Sequence, residues 1–342
     1  MALTALGKIL YLLFKLELCE MDVLTIGEVL VEFVRKGRGM PHYEAGEYIG
    51  PFPSGAPAIF IDAASRLGLK SAIIGAVGND DFGGLLKKRL ADDSVDVTHM
   101  FTREGYTTGI AFVTYFTDGS RRFVFHLKYS AAARIKPEDV DEDFVKMFRV
   151  LHIMGSALSV GEEIREACYK AVEIAKRTGI IVTYDPNLRA ELIEPQLISK
   201  ISKKVLETAE IVMPSKAELF DLTGKRSLEE ASKEIFKYGV KLLIVKAGEK
   251  GSVGVSRQET VFEPAYIVPE IDPTGAGDAF DAAVVYGYLK NRGLRETLEL
   301  ANAVGALKVT KMGPMGVPES LSEVEGFMKT GRKKRAENVF QV

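Results

Sequence analysis

Glu162-Glu163-Ile164-Arg165-Glu166-Ala167-Cys168-Tyr169-Lys170-Ala171-Val172-Glu173-Ile174-Ala175-Lys176-Arg177 is followed by Thr178-Gly179 and then by Ile180-Ile181-Val182-Thr183-Tyr184-Asp185-Pro186-Asn187. In the first part Ile164, Ala167, Cys168, Ala171, Val172 and Ala175 fall on one face at helical spacing, and Gly179 is a natural helix stop. Ile180–Tyr184 then reads as a strand that ends in the polar turn Asp185-Pro186-Asn187. A helix feeding a short apolar strand is the repeating unit of an α/β fold. The unit recurs on both sides. Ser71–Val77 is a buried-strand candidate, and Gly78-Asn79-Asp80-Asp81 opens a helix through Leu90. Val150–Met154, Ile211-Val212-Met213 and Leu242–Val245 are further apolar runs bounded by polar loops. Runs that are apolar throughout belong to parallel strands covered on both faces. The expected architecture is a three-layer α/β/α sandwich with a mostly parallel central sheet. Ligands then belong at the carboxyl ends of the strands.

One segment departs from this pattern. Ile110–Phe116 and Arg121–His126 flank Thr117-Asp118-Gly119-Ser120, and Asp-Gly suits a tight turn. This predicts a β-hairpin, either an edge ornament or a lid over a site; lid segments are expected at about 32–48 and 106–130. At the amino end, the apolar run Ile9–Phe14 is too short for a membrane span, and no small-residue cleavage site follows it. The fold is expected to begin near Met21, with residues 1–20 an extension. A single domain should run from 21 to 325. Residues 326–342, with the basic run Arg332-Lys333-Lys334-Arg335, read as a polar tail.

With 342 residues and 46% hydrophobic residues, the chain can bury a large core without disulfides or a structural metal. A net charge of −2 argues against a broad grip on nucleic acid or anionic membrane. Cys19 and Cys168 match no redox or ligand spacing, which fits a reducing cytoplasm. His42, His99, His126 and His152 are scattered, with no HExxH zinc motif. The P-loop, the dinucleotide GxGxxG, the GxSxG elbow and the protein-kinase motifs are all missing.

Asp272-Pro273-Thr274-Gly275-Ala276-Gly277-Asp278-Ala279-Phe280 is the most informative stretch. Two glycines remove side chains where a helix should begin, and that helix runs on through Ala282, Ala283, Val284 and Val285. Its first N–H groups lack helical partners and carry the positive end of the macrodipole, so they suit a phosphate. Asp278 would sit in the first turn, poised to accept a proton from a hydroxyl. That pairing is the geometry of phosphoryl transfer. The bland alternative is a glycine-rich helix start with a favourable acid.

Asp272–Phe280 resembles the second signature of the ribokinase (PfkB-type) carbohydrate kinases, and the likeness runs from about Asp22 to Leu321. Thr25-Ile26-Gly27-Glu28 resembles the family's opening strand and turn. Pro53-Ser54-Gly55-Ala56-Pro57-Ala58 with Arg66-Leu67-Gly68 resembles its first signature. Gly78–Gly83 and Asp185-Pro186-Asn187-Leu188-Arg189 match sugar-kinase members. The resemblance implies ATP and Mg²⁺ as cofactors and makes Asp278 the catalytic base. Gly275, Ala276 and Gly277 become the anion hole.

Met213–Glu218 lies where relatives carry N-x-x-E. Ser215 replaces the Asn, and Glu218 keeps the acid that would orient water on Mg²⁺; a helix-capping box is the alternative. Lys246, Gly248 and Gly251 would line the nucleotide, although the glycines also suit a hairpin turn. Asn302, on a helix over Thr297–Leu307, matches a position near adenine, unless it is an ordinary polar helix residue. At the sugar end the resemblance implies Glu32, Gly55, Ala56, Lys128 and Arg189. Glu32 stands where many members have Asp, and Ile59 replaces the usual Asn. An edge-strand polar role for Glu32 and a structural salt bridge for Arg189 stay open.

The implied activity is ATP-dependent phosphorylation of a keto-sugar or keto-sugar acid, of the fructose, tagatose or 2-keto-3-deoxygluconate type. A nucleoside kinase and a non-catalytic sugar or nucleotide sensor on the same fold are the alternatives. An exposed hairpin edge is relieved by pairing, so a homodimer through the β lid is expected.

Overall fold

The computed structural model describes residues 20–118, 120–189 and 191–335. The expected extension, apart from Glu20, lies outside them, as do Gly119 of the hairpin turn and residues 336–342. From the amino end the chain forms β1 (Met21–Ile26), β2 (Leu30–Arg35), β3 (Tyr48–Ser54), α1 (Ala56–Arg66), β4 (Ser71–Gly78) and α2 (Asp81–Asp92). Next come β5 (Met100–Arg103), β6 (Gly109–Tyr115), β7 (Arg121–His126), the short α3 (Glu142–Val145) and β8 (Phe148–Met154). The middle continues with α4 (Gly155–Val160), α5 (Glu162–Thr178), β9 (Ile181–Asp185), α6 (Pro195–Leu206), β10 (Ile211–Val212), α7 (Lys216–Thr223) and α8 (Leu228–Phe236). Strands β11 (Leu242–Lys246), β12 (Ser252–Ser256) and β13 (Thr260–Glu263) then precede α9 (Ala276–Leu289), α10 (Leu294–Val309) and α11 (Leu321–Thr330).

Nine strands form the central sheet in the order β13-β12-β11-β10-β9-β8-β1-β4-β5. The run from β11 to β5 is parallel, whereas β12 and β13 add an antiparallel edge. The strands are apolar throughout because successive side chains serve two different cores. Leu24, Ile26, Leu151 and Ile153 pack on one side, and Val23, Ile73, Val150 and Ile244 on the other. Helix α5 supplies Ile164, Ala167, Cys168, Ala171, Val172 and Ala175 to the first core, the face its spacing predicts. It ends at Gly179, which is left-handed at φ 72° and returns its N–H to the Ala175 carbonyl. Helices α1, α9 and α10 cover the opposite side. Each fully buried aliphatic side chain contributes on the order of 1.5–3 kcal/mol. The three-layer sandwich is therefore the stable solution for this pattern.

The hairpin is larger than expected. Strands β6 and β7 pair as read, from Ile110↔His126 to Tyr115↔Arg121. They are half of a second sheet, in the order β3-β2-β6-β7. Strand β2 joins it through a parallel pairing with β6 that short-range patterning could not reveal.

The expected polar tail from residue 326 is corrected. Helix α11 runs to Thr330 with Val324 fully buried and Phe327 against Tyr266. The basic run is also tied down. Lys333 Nζ lies 2.7 Å from Glu263, and the Lys334 N–H donates to the Ala265 carbonyl. The cations have acidic partners far away in sequence, which a local reading treats as solvent.

Candidate active site

The carboxyl ends of β1, β8, β9, β10 and β11 meet the amino end of α9 and the inner face of the small sheet around one cavity. Glu28 follows β1, Ser156 follows β8, Asp185 and Asn187 close β9, Ser215 follows β10, and Lys246 ends β11; all line it. The small sheet contributes Leu30, Glu32, Ser54, Arg121, Phe123 and Phe125 from alternate positions of its strands.

At one end, Gly275 caps α9 with φ 88°, and a side chain there would strike the Pro314 carbonyl at 2.4 Å. Gly275, Gly277 and Asp278 face the cavity. Ala276 does not: its N–H turns back to the Pro273 carbonyl at 3.3 Å, so the three-residue anion hole is reduced by one. The loop before the helix is fixed from below. Asp272 is fully buried and accepts hydrogen bonds from the Thr274 and Gly313 N–H groups and from the Tyr115 hydroxyl. The buried Lys308 donates to the Asp272 carbonyl at 2.8 Å. Tyr115 belongs to β6, so this network ties the small sheet to the start of α9.

Asp278 is buried, and its Oδ1 accepts from Asn187 Nδ2 at 3.1 Å. Asn187 sits at φ 38°, a left-handed conformation that asparagine tolerates, and its amide also reaches Asp185 at 3.2 Å. Burial, with the Asp185 charge adding to it, raises the Asp278 pKa to about 6, against the pull of Arg189, Lys246 and Arg121. A carboxylate with that pKa is ionised at neutral pH yet basic enough to take a proton.

Beside it, Lys246 Nζ lies 2.9 Å from Asp185 and 2.8 Å from Asp281. Burial opposes the ammonium charge, but the two carboxylates prevail and raise its pKa. Burial raises Asp281 far above the usual carboxylate range. Asp185 is buried too, yet Lys246 holds its pKa low.

Ser215 and Glu218 form the capping box of α7, and both also line the cavity. Glu218 accepts from the Leu188 and Ser215 N–H groups at 2.9 and 2.8 Å. Among the described residues no group of three His, Cys, Asp or Glu side chains is placed to hold a metal ion. The Glu218 carboxylate is an oxygen donor in the cavity lining, of the kind a hard cation such as Mg²⁺ takes together with phosphate and water.

The other end is acidic, and its acids are buried. Glu32 is 2% exposed; its Oε2 accepts from Ser54 at 3.2 Å, while its Oε1 is buried without a partner. Glu28 is 3% exposed and its Oε2 is likewise partnerless. Burial raises both pKa values to about 7. Gly55 and Ala56 line the wall; a Cβ on Gly55 would meet the Glu28 carbonyl at 2.5 Å. Ile59 lines the cavity as well. Arg189 and Arg121 stand over the Phe123 ring, 5.9 and 5.4 Å from its centroid.

Four expected ligand residues lie elsewhere. Lys128 is exposed, over the Tyr129 ring, and Arg121 at the other end of β7 takes the cationic place. Asn302 is buried and donates to the Glu263 and Pro264 carbonyls. Gly248 and Gly251 form the β11–β12 connection, with the Ala247 N–H on the Gly251 carbonyl. None of the four lines the cavity. Glu28, Asn187 and Arg121 line the cavity and were not read as site residues. Glu28 and Asn187 lay inside quoted motifs at strand ends, a signal that would have found them.

Residues 21–320 match the profile of the pfkB family carbohydrate kinases. The chain belongs to that family. Among the kinase's relatives, Fructokinase-1 of Oryza sativa subsp. japonica is 35% identical over 313 residues, covering 89% of this chain and 95% of that protein. Fructokinase-1 of Zea mays is 34% identical over 317 residues, with 89% and 95% covered. An E. coli chain carrying the provisional name Ribokinase II, solved with ATP and Mg²⁺, superposes with a TM-score of 0.85 at 40% identity, covering 90% and 99%. Fructokinase from Vibrio cholerae O395, solved with fructose, ADP and calcium, gives 0.79 at 28% identity, with 90% and 99% covered. No helix among the described residues of the kinase is long and apolar enough to cross a membrane.

Proposed function

We propose that this carbohydrate kinase transfers the γ-phosphate of ATP to a primary hydroxyl of a neutral ketohexose of the fructose class. The carrying observation is that Asp278, at the amino end of α9, opens on the same cavity as the partnerless oxygens of Glu28 and Glu32. Buried acceptors without donors are costly, and sugar hydroxyls supply the missing donors.

Asn187 holds one oxygen of Asp278 and leaves the other for the substrate hydroxyl. As that hydroxyl oxygen forms its bond to phosphorus, its proton passes to Asp278. The bond between the γ-phosphorus and the bridging oxygen breaks, and ADP leaves with the electron pair. The developing charge meets the Gly277 amide and the positive end of α9. Glu218 would hold Mg²⁺ through water, and the ion would supply neutralisation of the phosphate charge.

A keto-sugar acid is the second reading, favoured by Arg121 and Arg189 around Phe123. ADP release measured across fructose, tagatose, 2-keto-3-deoxygluconate, ribose and adenosine separates the readings. A neutral ketohexose should have the highest kcat/KM. A better sugar acid or nucleoside overturns the assignment, as does a sugar that binds without ATP consumption, the behaviour of a sensor.

We also propose a homodimer through the small sheet, with a second copy on the face where Val124 is exposed beside the Phe33–Phe112 stack. A monomer at all concentrations in sedimentation refutes this. A cytoplasmic location is supported by Cys168, a buried free thiol.

A further inference from the structure

Lys246 closes a strand in the centre of the fold, and a buried lysine is expensive unless it is paired. Its side chain is 14% exposed, and its two partners, Asp185 and Asp281, are 1% and 0% exposed. One carboxylate balances one ammonium. Burial pushes the Asp281 carboxyl up while Lys246 holds that of Asp185 down, and contacts from two different elements fix where the ammonium points. An ammonium has three N–H groups, and the two carboxylates account for two. The remainder of the head group opens on the cavity. Lys246 Nζ lies 3.8 Å from where a Cβ on Gly277 would stand, and Gly277 carries none to cover it.

We propose that Lys246 is a catalytic residue whose third N–H grips the terminal phosphate of the nucleotide, side by side with the Gly277 amide. The proposal rests on the phosphate position adopted above. It deepens that reading by adding a fixed cation held by two acids. The competing role is that of a counter-ion which merely allows Asp185 to be buried.

The two roles separate in binding. A non-hydrolysable triphosphate analogue and ADP, each with Mg²⁺, are titrated calorimetrically into the wild type, Asp185→Asn, and Asp185→Asn/Lys246→Met. The double variant removes one positive and one negative charge together, so the net charge of the cluster is unchanged. Asp185 raises the Asp278 pKa and Lys246 lowers it, so the two removals act on the base in opposite directions. Between Asp185→Asn and the double variant, triphosphate affinity should fall roughly ten- to a hundredfold, while ADP affinity changes less than about twofold. Equal losses for both nucleotides, or no loss for either, overturn the proposal. The ratio of the two affinities does not depend on the folded fraction. If the double variant does not fold, Lys246→Gln in the Asp185→Asn background retains an amide for the acids and carries the same expectation. An inactive wild type in the sugar panel would sink the assigned reaction and leave this ratio readable.

Discussion

The two ends of the cavity are built from different materials. The end proposed for the phosphate is built on main chain, a glycine-capped helix terminus whose position is set by the buried Asp272 and Lys308, with the Lys246 ammonium beside it. The end proposed for the sugar is side chain throughout: acids, arginines and aromatics that come from the turn after β1 and from a separate four-stranded sheet. Main-chain amides offer one chemistry whatever the residue, so that end suits the phosphate every member transfers. Side-chain acceptors change with each substitution, so that end suits choice among sugars. Variants at the first end should therefore lose turnover, and variants at the second should lose substrate affinity.

Asp278→Asn is the strongest test of the first half of that contrast. Removing the proton acceptor should lower kcat about 10³-fold or more, with sugar and ATP KM values little changed and the melting transition preserved. In the wild type, activity should fall as pH drops through about 6, because the buried carboxylate becomes protonated there. A kcat within tenfold of the wild type, or an acid limb near pH 4, would remove Asp278 from the role of base. Arg189→Ala comes next. Its guanidinium lowers the Asp278 pKa and stands over Phe123, at the junction of the two ends. Its loss should reduce kcat/KM for the sugar about 10- to 100-fold and move the acid limb upward. Unchanged steady-state kinetics would place it outside the site.

The same contrast explains what a single sequence discloses. Helix α5 and β9 were legible because their apolar residues repeat at 3.6 and in an unbroken run, and the Asp272–Phe280 loop because its chemistry is local. The small sheet was half legible. The β6–β7 hairpin carries its own turn, but the parallel β2–β6 pairing joins segments about 80 residues apart. Lys128 was read as a ligand from its place just past the hairpin; only the register decides that Arg121, Phe123 and Phe125 share the inner face. Asp281 could not be read at all, because its importance lies in meeting Lys246 from a different element.

Glu28→Gln and Glu32→Gln sharpen the second half. Each should raise sugar KM about tenfold with ATP KM unchanged, since an amide offers one acceptor where a carboxylate offers two. They should also stabilise the fold in alkali. A folded-state pKa near 7 against the ordinary glutamate value of 4.5 means that the wild type is relatively most stable below pH 4.5 and loses that advantage as pH rises through 7. At pH 8 each replacement should gain up to about 3 kcal/mol in denaturant unfolding. The gain and the loss of affinity should appear together. A variant that binds sugar normally shows that its acid is not a ligand.

The smallest kinetic effect should come from Asn302→Ala, and it discriminates just as well. The resemblance sets this residue near adenine, while the geometry sets its amide on the Glu263 and Pro264 carbonyls at 2.9 and 3.4 Å. Truncation leaves the buried Glu263 carbonyl without that donor, at a cost of about 1–3 kcal/mol. The melting temperature should fall, whereas the KM for ATP should stay within about twofold, because helix α10 remains anchored through Leu298, Leu300 and Val304 in the core. A preserved melting temperature with a tenfold rise in ATP KM would reverse the assignment and extend the nucleotide's contacts from its phosphates, at the start of α9, to a side chain of α10 at its base.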